Sequence, residues 1–250
     1  KGAKPFVAAG VLDGAERVFG LHTAYDLEAG TVGLKPGINN AAVDHFRIRV
    51  HGKSTHVSTP HLGVDALYIA SQIVVAVQGL ITRRTSPTEP VIIGIGKLNA
   101  GTTYNAVAAF AEMEGTTRTI SQESRDRVRA QVSETAQSIA ALYGGTAEVE
   151  WTDFAAALVN DPQVCEEAAR VVDELLGAGH VVTDRELSLS GDNFAEFELY
   201  KPGAYAYLGT GNPDLPHTMI TNHNGGFDVD ENALVTGAGL YVGYTVARLG

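Results

Sequence analysis

Cysteine, basic charge and long apolar runs are all scarce in this chain, and each scarcity removes a class of protein. Cys165 is the one cysteine among 250 residues, so an internal disulfide framework is excluded and a reducing compartment, the cytoplasm, is expected. It sits within DPQVCEEAARVVDELL, a helical pattern in which a packed thiol is expected rather than a nucleophile. Lys and Arg number 18 against 29 Asp and Glu, a net charge of −11. Nucleic acid is therefore not an expected partner, because its binding needs clustered cations to displace counterions. An anionic small molecule stays compatible, since a pocket can be locally positive on an acidic protein. No apolar run comes near the roughly 20 residues that cross a bilayer, and no membrane segment is expected. The opening KGAKPFVAAGVLDG does not read as a signal peptide, because its apolar part is short and broken by Asp13 and Gly14. The chain does open on Lys1 inside an amphipathic pattern, as though sequence upstream were missing. No internal repeat or low-complexity linker is visible.

What is present is a chain 44% hydrophobic and 19% charged, enough apolar mass for a sizeable core in one large or two smaller domains. AAVDHFRIRVH (41–51) alternates Val43, His45, Arg47 and Arg49 against Asp44, Phe46, Ile48 and Val50, which predicts a half-buried strand. DALYIASQIVVAVQGLITRR predicts a helix with Asp65 as N-cap. PVIIGIGKLNAG and AFAEMEGTTRT predict two strands. In SQESRDRVRAQVSETAQSIAALYGG, Val128, Val132, Ile139 and Leu142 recur at helical spacing and Gly144-Gly145 supplies a stop. TAEVEWTDF alternates again. The order strand–helix–strand–strand–helix–strand over 41–154 is that of a ferredoxin-like βαββαβ module. The flanks, 1–40 and 155–250, read as segments of an α/β layer with a mainly parallel sheet. They hold a short helix (GAKPFVAAGVL), a strand RVFGLH closing on His22, and a helix capped by Asp161-Pro162 that stops at Gly177. The strand GAYAYLGTGN and a final helix ENALVTGAGLYVGYTVARL follow.

Several residues are candidates for chemistry. HGKSTHVSTPH (51–61) sets His51, His56 and His61 five apart. Residues five apart lie about 500° round a helix axis and on opposite faces of a strand, so a joint metal site is disfavoured and at most one of the three is expected to function. His22 ends an apolar strand, where α/β sheets place ligands. His223 lies in TNHNGGFDVDE, a glycine-rich loop before the last helix. Asp192 in SGDNF is a carboxylate candidate. Asp228, Asp230 and Glu231 are better read as negative charge at a helix N-terminus.

VFGLH, HGKSTHVSTPHLGVDAL, AGTTYNAV, EGTTRT, SGDNFAEF, PGAYAYLGTGNPD and NHNGGFDVDENAL together resemble, in order and approximate spacing, the M20 family of metal-dependent amidohydrolases. The likeness is to the hippurate, N-acyl-amino-acid and indole-acetyl-amino-acid hydrolase subgroup, over essentially the whole chain. It implies a zinc-peptidase-like α/β catalytic domain (1–40 and 155–250) with an inserted ferredoxin-like domain (41–154) that serves as lid and dimerises the protein. It implies a metal-dependent enzyme cleaving the amide bond of N-acyl amino acids or related small amides and dipeptides. The cofactor implied is a divalent metal, zinc or else Mn, Co or Ni, with two ions in the full-length enzyme. His22 and His223 match metal ligands, and His56 matches the lid histidine that stabilises the tetrahedral oxyanion, usually in the partner subunit. Asn105 matches the asparagine that helps hold the substrate carboxylate. His61 then shapes a turn and His51 is a solvated strand end. Family members carry a His-bearing motif and a Glu-Glu pair upstream of the segment that GAKPFVA resembles, so the first metal half-site and the general-base glutamate are expected before Lys1. Asp192-Asn193, Ala108 and Ser54-Thr55 stand where the family commonly has Glu-Asp, proline and Gly-Gly. The alternative is a non-catalytic dimerisation or ligand-binding fragment of an M20-type protein. A third arrangement supplies the missing half from a separate chain.

Overall fold

The computed structural model describes residues 2–249. Along the chain lie α1 (Ala3–Ala8), β1 (Val18–Glu28), β2 (Val32–Gly33), β3 (Gly37–Asn40), β4 (Ala42–His51), α2 (Ala66–Gly79), β5 (Ile92–Ala100) and β6 (Phe110–Thr119). They are followed by α3 (Gln122–Leu142), β7 (Thr146–Ala155), β8 (Leu158–Asn160), α4 (Pro162–Leu176), β9 (Val181–Val182), α5 (Ala195–Glu198), β10 (Gly203–Gly211) and α6 (Asn232–Leu249). They form two compact units. The first comprises Lys1–Asn40, Leu158–Ser188 and Asp192–Gly250, and the second Ala41–Ala157 with Leu189–Gly191.

The second unit is a four-stranded antiparallel sheet in the order β5-β6-β4-β7, with α2 and α3 packed against it. This is the ferredoxin-like arrangement that the element order predicts. Alternation along β4 sends Phe46, Ile48 and Val50 into the core, where none is exposed. Truncating a side chain like Phe46 there would cost about 3–5 kcal/mol. Asp44 shares that inward register and is 1% exposed. Arg125 of α3 answers it, its Nε donating to Oδ2 at 2.9 Å, so the buried charge is paired rather than orphaned. The outward register carries His45, Arg47 and Arg49, which face Glu114, Glu112 and Glu150 across the strands. On α3 the buried row is Val128, Val132, Ala136 and Ala140. Leu142, read from its spacing as a core position, is 75% exposed, because the row advances in fourfold steps and its last members are alanines.

Helix α2 begins where expected, with Asp65 Oδ1 accepting from Leu67 N at 2.9 Å and Tyr68 N at 3.2 Å. It continues as a π-turn through Arg84. The run Ala66–Arg84 has 19 residues and a hydropathy of 1.4, long and apolar enough to cross a membrane by length and composition. That corrects the expectation that no run comes near this length. One face, formed by Ala66, Ile69, Ala70, Ile73 and Val77, is buried in the core, as in a core helix.

The first unit holds a four-stranded sheet, β1-β10-β2-β9, in which β1·β10 and β2·β9 are parallel and β10·β2 antiparallel. A two-stranded antiparallel pair, β3-β8, accompanies it. Asp161 caps α4 by accepting from Gln163 N and Val164 N, and Gly177 ends that helix with φ at +87°. Helix α1 stops at Ala8, short of the predicted Leu12, as Gly10 turns the chain with φ at +79°. Cys165 is buried as expected, and burial pushes its thiol up to about 11, so little thiolate is present near neutral pH.

Candidate functional site

His22 is not the end of its strand. β1 runs on to Glu28, since Thr23, Ala24 and Glu28 keep partners on β10 around a register shift. β1 and β10 run parallel, with Gly20 opposite Tyr205 and His22 opposite Tyr207. One face of this pair carries Ala204, Ala206 and Leu208 into a core shared with α4 and α6, with Phe19 and Leu21 packed against it. The period of two sends His22, Tyr205 and Tyr207 to the other face. The His22 ring lies 6.1 Å from that of Tyr205 and 6.0 Å from that of Tyr207. Gly20 is required here, because a Cβ would meet the rings of Phe194 and Tyr205.

The His22 tautomer follows from its neighbour. Nδ1 lies 2.7 Å from the carbonyl oxygen of Thr23, and a carbonyl can only accept, so Nδ1 carries the proton. In the neutral ring Nε2 then carries the lone pair, the state in which imidazole binds a metal ion. Asn222, 200 residues away in sequence, reaches the same place. Its Nδ2 donates to the Thr23 carbonyl at 3.3 Å and lies 3.4 Å from His22 Nδ1. The Asn222 Oδ1 is buried and has no hydrogen-bond partner.

His223 follows immediately and is exposed. It has φ at +63°, and among the described residues it is the non-glycine residue with positive φ. That conformation costs about 1–3 kcal/mol and persists where the surroundings demand it. Here a turn follows, with Asn224 Oδ1 accepting from Gly226 N at 2.9 Å.

Two phenols are anchored beside His22. Tyr205 donates to Asp192 Oδ2 at 2.9 Å, while Phe194 N donates to Asp192 Oδ1 at 2.8 Å. Tyr207 donates to Asn40 Oδ1 at 2.7 Å, and the Arg185 guanidinium stacks 4.1 Å from its ring centroid. Burial raises both phenols above the ordinary tyrosine range, so both stay protonated donors. Asp192 is thus a hydrogen-bond acceptor that ties the turn before α5 to β10. Asp230 is buried, accepting from Asn212 Nδ2 at 2.7 Å and from Asn232 N at 3.0 Å. The Asn212 amide, foremost, holds its carboxyl below the usual range. It serves the start of α6, the role the sequence assigns to this acidic cluster.

In the second unit, reciprocal bonds between Lys53 and Val64 (2.8 and 2.9 Å) close the base of a loop. Gly52 permits this, since a Cβ there would run into the Val64 carbonyl. Within the loop, Val57 N donates to Asn105 O at 3.1 Å and Val107 N to Thr55 O at 2.8 Å. His56 is thereby bridged to Ala106, next to Asn105. Thr103 Oγ1 donates to Asn105 Oδ1 at 3.1 Å, which leaves the Asn105 Nδ2 hydrogens for another acceptor. His61 lies in the 3₁₀ turn Pro60–Leu62, and His51 ends β4, exposed, 3.6 Å from Glu148.

The four residues singled out from sequence therefore fall into two neighbourhoods: His22 with the Asn222-His223 segment, and His56 with Asn105. The first fits part of a metal site, since the neutral His22 ring offers Nε2 and the neighbouring Asn222 side chain has an unsatisfied amide oxygen. It does not make a whole one, as no group of three His, Cys, Asp or Glu residues is placed to hold a metal among the described residues. The sequence reading passes over Asn222, Tyr205 and Tyr207. The two-residue spacing of Tyr205 and Tyr207 in the strand that pairs with His22 was the available signal.

Comparison with known proteins shows what the chain as a whole is similar to. Residues 41–143 match the M20 peptidase dimerisation domain. Thermostable carboxypeptidase 1 of Saccharolobus solfataricus is 34% identical over 238 residues, covering 95% of this chain and 59% of that protein. N-acetyl-L-cysteine deacetylase of Bacillus subtilis is 35% identical over 234 residues, covering 94% and 54%. The structure of Bacillus subtilis YxeP, described as a dinuclear metal binding peptidase from the M20 family, superposes with a TM-score of 0.81 at 30% identity, covering 99% of this chain and 61% of that one. The chain thus spans between half and two thirds of the length of these relatives.

Proposed function

We propose, from the premise that this chain belongs to the M20 family of hydrolases, that the whole protein is a divalent-metal-dependent amidohydrolase acting on N-acyl amino acids or related small amides. The observation that carries the reading is His22: its Nδ1 donates to the Thr23 carbonyl, which makes Nε2 the lone-pair nitrogen of the neutral ring, and the neighbouring Asn222 side chain has a buried, unsatisfied Oδ1. His22 and His223 are the proposed ligands from this chain, and zinc the proposed ion, with Mn, Co or Ni as alternatives. When bound, such an ion polarises an amide carbonyl and lowers the pKa of water to about 7.

The chain's own residues do the rest. His56 donates a hydrogen bond to the oxygen on which charge develops, a donor worth about 3 kcal/mol in related chemistry. Asn105, its Oδ1 taken by Thr103, offers Nδ2 to the substrate carboxylate. Tyr205 and Tyr207, held protonated, wall the His22 face. The matched dimerisation domain supports a homodimer. The surfaces we assign to it are edge strand β5 and the exposed Leu67, Tyr68 and Val75 of α2.

A second reading has a specific observation behind it. The described residues gather no three metal-ligating groups, which suits a ligand-binding or dimerisation role for the 250 residues alone. Assay of a panel of N-acyl amino acids with added divalent metal separates the two. Chelator-sensitive turnover is expected from the complete gene product and none above background from residues 1–250 alone. A positioned general base is worth about 10²- to 10⁴-fold. Chelator-sensitive turnover by the 250 residues alone would overturn the half-site argument. An inactive, metal-loaded complete product would overturn the hydrolase reading.

A further inference from the structure

The loop that carries His56 holds more than the histidine. Thr59 N donates to the His56 carbonyl at 2.9 Å, folding residues 56–59 into a turn that brings Ser58 back against the imidazole. Ser58 N then donates to His56 Nδ1 at 3.2 Å, and Ser58 Oγ lies 2.7 Å from the same nitrogen. A backbone N–H can only donate. Nδ1 must therefore present its lone pair, and the serine hydroxyl at 2.7 Å must donate to it as well, since a proton on Nδ1 would point at the amide hydrogen. The remaining proton of the neutral ring sits on Nε2. Both His56 and Ser58 are exposed, so the core does not clamp the ring. Its orientation depends on these short-range bonds.

We infer that Ser58 is a positioning residue for His56: its N–H and hydroxyl together lock the neutral imidazole as the Nε2–H tautomer and fix the direction in which that proton is offered. This rests on the reading of His56 as the oxyanion donor. An oxyanion needs a donor, and an Nδ1–H ring would turn an acceptor toward it. A donor also acts with full effect only when aimed before charge develops. The fold supplies that aim in two stages. The bridge from Thr55 and Val57 to residues 105–107 holds the backbone, and the Ser58 hydroxyl holds the ring. Thr59 steadies the turn itself, its Oγ1 donating to the His56 carbonyl at 3.2 Å and lying 3.2 Å from Thr55 Oγ1.

The test separates the tautomer lock from catalysis. In the 250-residue chain labelled with ¹⁵N-histidine and held at about pH 9, where imidazoles are neutral, His56 is assigned by loss of its signals in His56→Ala. Wild type should show Nδ1 as the unprotonated and Nε2 as the protonated nitrogen. Ser58→Ala keeps the 3.2 Å backbone bond but loses the 2.7 Å hydroxyl donor, so it should move the two resonances part of the way toward each other as the Nδ1–H tautomer becomes populated, and Ser58→Thr should restore them. In the complete gene product Ser58→Ala should lower kcat roughly three- to tenfold, the worth of one neutral hydrogen bond, with KM little changed and Thr rescuing. A protonated Nδ1 in wild type, or unmoved resonances in Ser58→Ala, overturns the inference. A shifted tautomer with unchanged kcat overturns the positioning role. If instead His56→Ala leaves kcat unchanged, the oxyanion reading itself falls and the tautomer lock stands as a structural feature alone.

Discussion

The amide of Asn222 and the imidazole of His22 lie 3.4 Å apart although 200 residues separate them in sequence. Both converge on Thr23, whose carbonyl accepts from His22 Nδ1 at 2.7 Å and from Asn222 Nδ2 at 3.3 Å. One backbone oxygen thus orients a candidate ligand and ties the loop of His223 to β1.

That relationship predicts the metal dependence. His22→Ala should abolish binding of one divalent ion by the complete gene product. Asn222→Ala should weaken it by about ten- to a hundredfold, the usual effect of removing a partner that orients a ligand. Metal content after dialysis against graded buffer concentrations measures both. Unaltered stoichiometry and affinity in His22→Ala would remove this residue from the site.

The neighbouring pair in the ferredoxin-like unit should divide binding from rate. His56→Ala is expected to lower kcat about 10²- to 10³-fold with a small effect on KM, because an oxyanion donor acts in the transition state. Asn105→Ala should chiefly raise KM, since a carboxylate that does not react is held equally in ground and transition states. Steady-state kinetics of both variants decides it, and a reversed pattern would exchange the two roles.

The exposed surface of α2 predicts the oligomeric state. Val75 is 71% exposed in an apolar helix beside edge strand β5, and a chain carrying the matched dimerisation domain should be a dimer by light scattering at tens of micromolar. Val75→Glu combined with Leu67→Glu should give a folded monomer, because two buried like charges per protomer oppose association. A dimer unaffected by the double substitution would place the interface elsewhere.

Glu198 predicts a pH dependence of stability. Burial, foremost, pushes its carboxyl up to about 7, opposed by the hydrogen bond from Val159 N (2.9 Å) and assisted by the nearby Asp192 charge. The folded state therefore keeps this proton over a range where the unfolded chain, at an ordinary value of 4.5, has released it. More protons bound when folded means that stability falls as pH rises from about 4.5 to about 7, and stays low above it. Glu198→Gln keeps an acceptor for Val159 and removes the charge. It should flatten that slope and raise stability at pH 8 by up to about 3 kcal/mol. Denaturant midpoints at pH 5 and pH 8 test this, and a variant no more stable than wild type at pH 8 would refute it.

Much of this was legible along the chain because the signals are local. Asp65 and Asp161 cap the helices they precede, since a side-chain oxygen two residues from an orphan amide finds it whatever the rest of the fold does. The alternation of β4 specified its buried face, and the element order over 41–154 specified a ferredoxin-like sheet. The short strands β2, β3, β8 and β9 carried no such signal. With two to four residues each, they exist because neighbouring strands offer partners.

By itself the sequence determined what depends on near neighbours: which residues alternate and where helices start. Tertiary structure decided what depends on distant groups meeting. Asp44 lies in an apolar register and is tolerable there only because Arg125, 81 residues on, reaches its carboxylate. His22 has its tautomer set by an adjacent carbonyl, but its surroundings, Tyr205, Tyr207 and Asn222, come from strands and loops nearly two hundred residues later. Glu198 looks like any helix-end glutamate until burial raises its proton affinity. Periodicity records a residue's exposure to its own element, while protonation and ligand geometry depend on the field and partners of the assembled fold, which no local pattern contains.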